Sequence, residues 1–292
     1  MQFYFVTTDH LDDRIWFRDE EDFKAGMNAI PLIAAMLSIS IVAFVLMSNH
    51  VHFVLRCSYA QARRFIDEFK KHHSRYLRLK YGIREALKGN KSDIRPIEGG
   101  GESMENVIAY VQMNPVAANI CLQSTGYPWG TGNAFFRAEP IKGTRVVKLS
   151  KRAQIRLFHS KLPASAELLI GEGGYILPDS YVDISFVETV FRTPKRMLYF
   201  LQNSSKAKLR LNSENPEIPA FRDQVIAAAV TDLCRTLFRK PSPQELSSAQ
   251  QSELLKQLRY RFSAQVNQLA RVVGLPYHTV ATLLDAPHGG TE

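Results

Sequence analysis

The chain has 292 residues, 45% hydrophobic and 22% charged, which fits a globular protein long enough for two domains. Its 37 Lys and Arg against 28 Asp and Glu leave a formal charge of +9, a balance that favours a polyanionic partner. Three widely separated cysteines (Cys57, Cys121, Cys234) with no C-x-x-C pair argue against a disulfide framework or a zinc site, and for a reducing compartment.

Residues 1–13 lack the basic-then-apolar layout of a signal peptide, so a cytoplasmic setting is expected. Residues 25–49 carry no charge, and a run of that length can span a bilayer. Asn28, Pro31, Ser38 and Ser40 interrupt it, however, and residues 39–47 turn β-branched and aromatic. The expectation is a buried helix over about 20–37 and then a central strand, with no membrane span.

Ser48-Asn49-His50-Val51-His52 follows at a turn between two β-branched runs. Residues i and i+2 of a strand share a face, so His50 and His52 point together while Val51, Phe53 and Leu55 face a core. Two adjacent imidazoles suit one metal ion; read alone, they are equally a pair of solvated strand histidines.

Residues 59–81 read as a long basic helix. Phe65, Ile66, Phe69, Tyr76 and Leu77 recur at helical spacing. Arg63, Arg64, Lys70, Lys71, Arg75 and Arg78 interleave as a candidate phosphate-contacting face, or a merely solvated one. A third helix is expected over residues 103–114, with Ser103 as N-cap after Gly99-Gly100-Gly101 and Pro115 marking its end. Tyr110 and Asn114 are four apart and share a face. The phenol is a candidate nucleophile and the amide oxygen a candidate third metal ligand; the plain alternative is aromatic packing and a helix C-cap.

Taken together, these segments resemble the HUH-type single-tyrosine transposases, above all the REP-associated tyrosine transposases and related insertion-sequence enzymes. Leu46-Met47-Ser48-Asn49-His50-Val51-His52 matches the family's histidine strand, with Ser48 where a proline is usual. Tyr110-Val111-Gln112-Met113-Asn114-Pro115-Val116 matches its tyrosine segment, and Trp16 to Phe23 and Tyr127-Pro128-Trp129-Gly130 match flanking motifs in the right order. The resemblance covers residues 1 to about 136. It implies an α+β fold, a ferredoxin-like antiparallel sheet with packed helices (the HUH nuclease core), as a catalytic domain over 1–140. It also implies that His50, His52 and Asn114 hold Mg²⁺ or Mn²⁺. Tyr110 would form a 5′-phosphotyrosine link with single-stranded, hairpin-bearing DNA. Relatives include dimers that exchange the tyrosine helix and monomers that do not, so a homodimer stays open. One departure is residues 89–102, short, polar and Gly-rich where relatives carry a longer aromatic, basic linker.

A phenol is a weak nucleophile at neutral pH, so Tyr110 needs a base; Lys71, His72 and His73 are candidates on the basic helix. Two other readings compete: a DNA-binding protein without catalysis, and a metal-dependent nuclease that uses water in place of Tyr110.

Residues 137–152 read as a linker or extended arm, opening a mostly helical C-terminal region over 141–292. Helical patterns fall at about 151–161, 184–202, 219–238 and 247–262. Residues 265–285 have helix-turn-helix spacing, with Gly274 at the turn and Tyr277, His278 and Thr279 opening the second helix as candidate DNA contacts.

Overall fold

The computed structural model of the protein describes residues 2–8, 15–84, 87, 89–98, 103–118, 120–139, 141–205, 223–262, 264 and 266–285. The triple glycine 99–101, residues 9–13 and residues 219–222 of the expected third helical pattern lie outside them.

Four strands, β1 (Gln2–Thr8), β2 (Ser40–Met47), β3 (His50–Cys57) and β4 (Ser92–Pro96), form one antiparallel sheet in the order β2-β3-β1-β4. β2 and β3 make a hairpin in which Met47 pairs with His50, and Ser48-Asn49 forms its two-residue turn. The Ser48 carbonyl is held by the amides of Trp16 and Phe17 at 2.8 and 3.2 Å. The first motif of the chain thus braces the turn that presents the histidines. β1 and β4 escape the pattern search because β1 is apolar on both faces and β4 is short and polar.

Alternation along β3 assigns each sheet face its helices. Phe53 packs on Phe65 and Phe69 of α2 (Tyr59–Tyr81), with centroids 5.1 and 5.4 Å away. The face carrying Val51, Phe53 and Leu55 is therefore covered by α2, beside which α1 (Glu20–Leu37) is packed. The other face carries His50 and His52 and is covered by α3 (Ser103–Ala117). α2 has the expected bounds: Ser58 and Gln61 form a reciprocal capping box, and Gly82 at φ +71 ends the helix. Beyond that, Lys80 bonds both Asp19 and Asp22, tying the end of α2 to the start of α1.

α3 departs from expectation at both ends. Ser103 is already helical, and its hydroxyl donates to the Glu98 carbonyl at 2.6 Å instead of capping. The helix also runs through Pro115 to Ala117. A proline there lacks the N–H that would reach the Val111 carbonyl. Asn114 compensates: its Nδ2 donates to the carbonyls of Tyr110 at 2.8 Å and Val111 at 3.3 Å.

Residues 141–150 are not a bare linker. Within them β5 (Thr144–Arg145) pairs with β6 (Leu169–Ile170), and Val146 is fully buried. The next helix, α4 (Lys151–Phe158), docks on α1 and α2. Asn28 of α1 donates to the Leu157 carbonyl at 3.1 Å and accepts from the Ile176 amide at 2.8 Å. On the other sheet face, α5 (Ile184–Phe191) and α6 (Pro194–Asn203) join α3: Phe186 stacks on Phe3 at 4.9 Å, and Arg196 pairs with Glu105 at 3.1 Å. Val187, Phe191, Met197 and Phe200 belong to the same core as the sheet.

The remaining helices, α7 (Asp223–Thr236), α8 (Ser248–Phe262), α9 (Val266–Val273) and α10 (Tyr277–Asp285), pack around a second core that also takes in Ile15. Gly274 joins α9 to α10 at φ +71, where its amide and that of Leu275 both reach the Ala270 carbonyl. α10 leans on α8 as well as on α9, since Ser252 donates to the Leu283 carbonyl at 2.6 Å. Arg18, 1% exposed, reaches Asp232 of α7 with its Nε at 3.0 Å and its terminal nitrogen at 2.9 Å. Among the described residues no helix is long and apolar enough to cross a membrane.

Candidate active site

Three elements converge on the face of the sheet away from α2. β3 supplies His50 and His52, whose ring centroids are 4.8 Å apart with planes at 82°. His50 Nδ1 lies 2.8 Å from Asn49 Oδ1, an acceptor. A proton on Nδ1 would donate to that oxygen and leave the Nε2 lone pair as the one for a metal. β1 supplies Phe5, which stacks on His52 at 5.6 Å. α3 supplies Tyr110, edge-on to both rings, with centroids 5.8 Å from His52 and 5.8 Å from Phe5.

The histidines are deep, at 3% and 4% exposure, while Tyr110 is half-buried and opens onto solvent. It lines a cleft of about 490 Å³ between β4 and α3, together with Phe5, Arg95, Ile97, Ser103 and Asn106. Asn114 lies one turn further along α3 on the same face, buried. Its amide nitrogen serves the Tyr110 and Val111 carbonyls, and its oxygen takes no part in those two bonds. The Asn114 side chain thus completes the helix across Pro115.

Among the described residues no group of three His, Cys, Asp or Glu side chains could enclose a metal ion. The two adjacent imidazoles are metal-ligating groups that would leave most of an ion's coordination positions open.

The structure does not bring the candidate DNA contacts to this site. Arg63, Arg64, Lys71, Arg75 and Arg78 are exposed, but on α2, across the sheet from Tyr110. Lys70 is committed to the fold: its ammonium donates to the Asn90 carbonyl at 2.7 Å and to Ser92 at 2.6 Å, anchoring the approach to β4. Tyr277 and His278 are exposed and Thr279 is half-buried on α10, which packs on the second core.

The three candidate bases also fail on position. Lys71, His72 and His73 all lie on α2, on the wrong side of the sheet. His72 Nε2 is 2.8 Å from the Phe158 carbonyl and His73 Nε2 is 2.7 Å from that of Trp16. Burial, only partly offset by the Trp16 carbonyl, pushes the His73 pKa down to about 3, so it is neutral at pH 7. Both serve as structural donors. Phe5 and Asn49 are the site residues that pattern reading overlooks. Phe5 hides in a strand without alternation, and Asn49 reads as a turn residue.

A family model described as "Transposase IS200 like" matches residues 14–113, a span that contains His50, His52 and Tyr110 and stops one residue before Asn114. No curated protein matches the chain. One solved structure, described as "Structure of the REP associates tyrosine transposase bound to a REP hairpin", is 16% identical. It aligns with 45% of this chain and 77% of its own, with a TM-score of 0.37. Over residues 14–113, where the paired histidines and the phenol meet, the chain is similar to the IS200-like transposases.

Proposed function

We propose that the protein is a single-strand DNA transposase that cuts and rejoins DNA through Tyr110. The observation that carries this reading is the meeting of the Tyr110 ring with His52, beside His50, at the wall of an open cleft. The family match over residues 14–113 supports it.

In this reading the cleft seats a DNA strand, and the Tyr110 oxygen attacks a backbone phosphorus. A new P–O bond to the phenol forms as the bond to the 3′ oxygen breaks. The phenol proton is lost and the departing 3′ oxygen takes one up. The result is a 5′-phosphotyrosine and a 3′-hydroxyl. The same or another 3′-hydroxyl then attacks the link and releases Tyr110. The covalent bond retains the phosphodiester energy, so rejoining needs no external source. His50, His52 and the Asn114 oxygen would hold a divalent cation, Mg²⁺ or Mn²⁺. Bound there, it supplies positive charge to a non-bridging phosphate oxygen. Phe5 holds His52 in place by stacking, and Asn49 sets the His50 tautomer.

The test is a denaturing gel after incubation with Mn²⁺ and end-labelled single-stranded DNA bearing hairpins. A covalent adduct is expected with the native protein and none with Tyr110→Phe. Binding without any adduct overturns the reading in favour of a DNA-binding protein. Cleavage without an adduct points to water as the nucleophile.

A further inference from the structure

A second feature lies on the far side of the sheet from Tyr110. α2 and α4, together with the residues just after α4, enclose an open groove of about 1100 Å³. Lys71, Arg75 and Arg78 line one wall, and Arg156 and Lys161 line the other. Glu68 is the one carboxylate among the described lining residues, and it is 3.7 Å from Lys71 on its own wall. Five cations facing one another across a groove repel, and among the described residues the hydrogen bond that joins α2 to α4 is uncharged, from His72 Nε2 to the Phe158 carbonyl. Asn28 of α1 holds the Leu157 carbonyl from below, and the Phe158 side chain is 1% exposed. Arg156 and Lys161 lie beyond residue 113, so this second wall comes from outside the matched segment.

We infer that this groove is a docking surface for the sugar-phosphate backbone of duplex DNA, separate from the cleft where the strand is cut. Clustered Lys and Arg bind phosphates through counterion release and carry no sequence information. The lining also says which form of DNA. Single strands are gripped by stacking their bases on aromatic rings. Here the described lining residues include no Phe, Tyr or Trp, and the His159 ring is already set edge to face on Tyr76 at 4.8 Å. A surface with charge and no stacking platform reads the outside of a helix. One polypeptide would thus hold a base-paired stem on one side of the sheet and an unpaired strand on the other. The inference rests on the reading of the protein as a DNA enzyme, but it is tested separately.

The experiment measures hairpin binding by fluorescence anisotropy across a salt series, in the Tyr110→Phe background so that no strand is joined. Arg156→Gln/Lys161→Gln is compared with Arg239→Gln/Lys240→Gln, which removes the same charge from exposed positions outside the groove. The groove variant should flatten the slope of log K against log salt by roughly 2, about 0.9 for each phosphate no longer neutralised. The control should leave it unchanged. An unpaired oligonucleotide of equal length should show a smaller change than the hairpin. Equal slopes in groove variant and parent overturn the inference, as does an equal flattening in the control. An equal change with the unpaired strand overturns the duplex assignment. Loss of self-association with an unchanged DNA slope would assign the groove to a protein partner instead. A normal adduct in the native protein with an unchanged groove slope sinks the groove alone; a flattened slope with no adduct sinks the tyrosine chemistry alone.

Discussion

The ring of Tyr110 stands edge-on to that of His52, centroids 5.8 Å apart and planes at 80°, although one comes from α3 and the other from β3 with the whole of α2 between them in sequence. Nothing in either segment forces that meeting. It follows from α3 crossing the sheet on the face that α2 leaves open.

Asn114 completes α3 and, in the proposed function, would also hold the ion; substitution should separate the two. Asn114→Ala removes both side-chain bonds to the Tyr110 and Val111 carbonyls and should cost about 1–2 kcal/mol by denaturant unfolding. Asn114→Asp keeps an oxygen but cannot donate. It should cost at least as much stability while binding Mn²⁺ no more weakly than the native protein. Weakened Mn²⁺ binding in the Asp variant would remove Asn114 from the ligand set.

Asn49 touches His50 and not the proposed ion. Asn49→Ala should lower Mn²⁺ affinity by roughly 10–100-fold in a calorimetric titration, because the imidazole loses its fixed tautomer. His50→Ala should abolish the thermal stabilisation by Mn²⁺, which for the native protein amounts to about 2.7 kcal/mol at a hundredfold excess over Kd. A Mn²⁺ shift that survives His50→Ala would place the ion elsewhere.

The Arg18–Asp232 pair joins the sheet domain to α7. Asp232→Ala leaves the Arg18 guanidinium buried without its carboxylate and should cost roughly 3 kcal/mol in urea unfolding. Replacing both, Arg18→Met with Asp232→Ala, should recover part of that loss, since the stranded charge is gone. A double variant no more stable than the single would mean that packing of the Arg18 stem, not its charge, decides the cost.

His73 makes stability depend on pH. Its native pKa is about 3 against an ordinary 6.5, chiefly through burial. Between those values the unfolded chain binds a proton that the native chain does not, so stability falls as pH drops below 6.5. The slope approaches 1.4 kcal/mol per pH unit, a loss of about 2 kcal/mol by pH 5. His73→Gln keeps a donor for the Trp16 carbonyl and should flatten this stretch of the profile. An unchanged slope in that variant would assign the acid sensitivity to other groups.

Much of the site is local and therefore legible in the chain. Period-two alternation puts His50 and His52 on one face and Phe53 on the other, because a pleated strand allows nothing else. Helical spacing and a final glycine fix α2 at Tyr59–Tyr81. Other features depend on sidedness and long-range packing, which no short window encodes. The α2 cations are exposed as their spacing suggests, but they face away from Tyr110 because α2 and α3 take opposite faces of the sheet. Lys70 looks like its neighbours in sequence, yet the approach to β4 captures its ammonium. Phe5 gains its place beside His52 only when β1 pairs with β3, where Thr7 lies opposite His52. The sequence by itself determined which chemical groups exist and which way each points within its own helix or strand. Only the tertiary structure decided which of them meet, because the pairing and crossing of segments is set by burial of the whole core and not by neighbours along the chain.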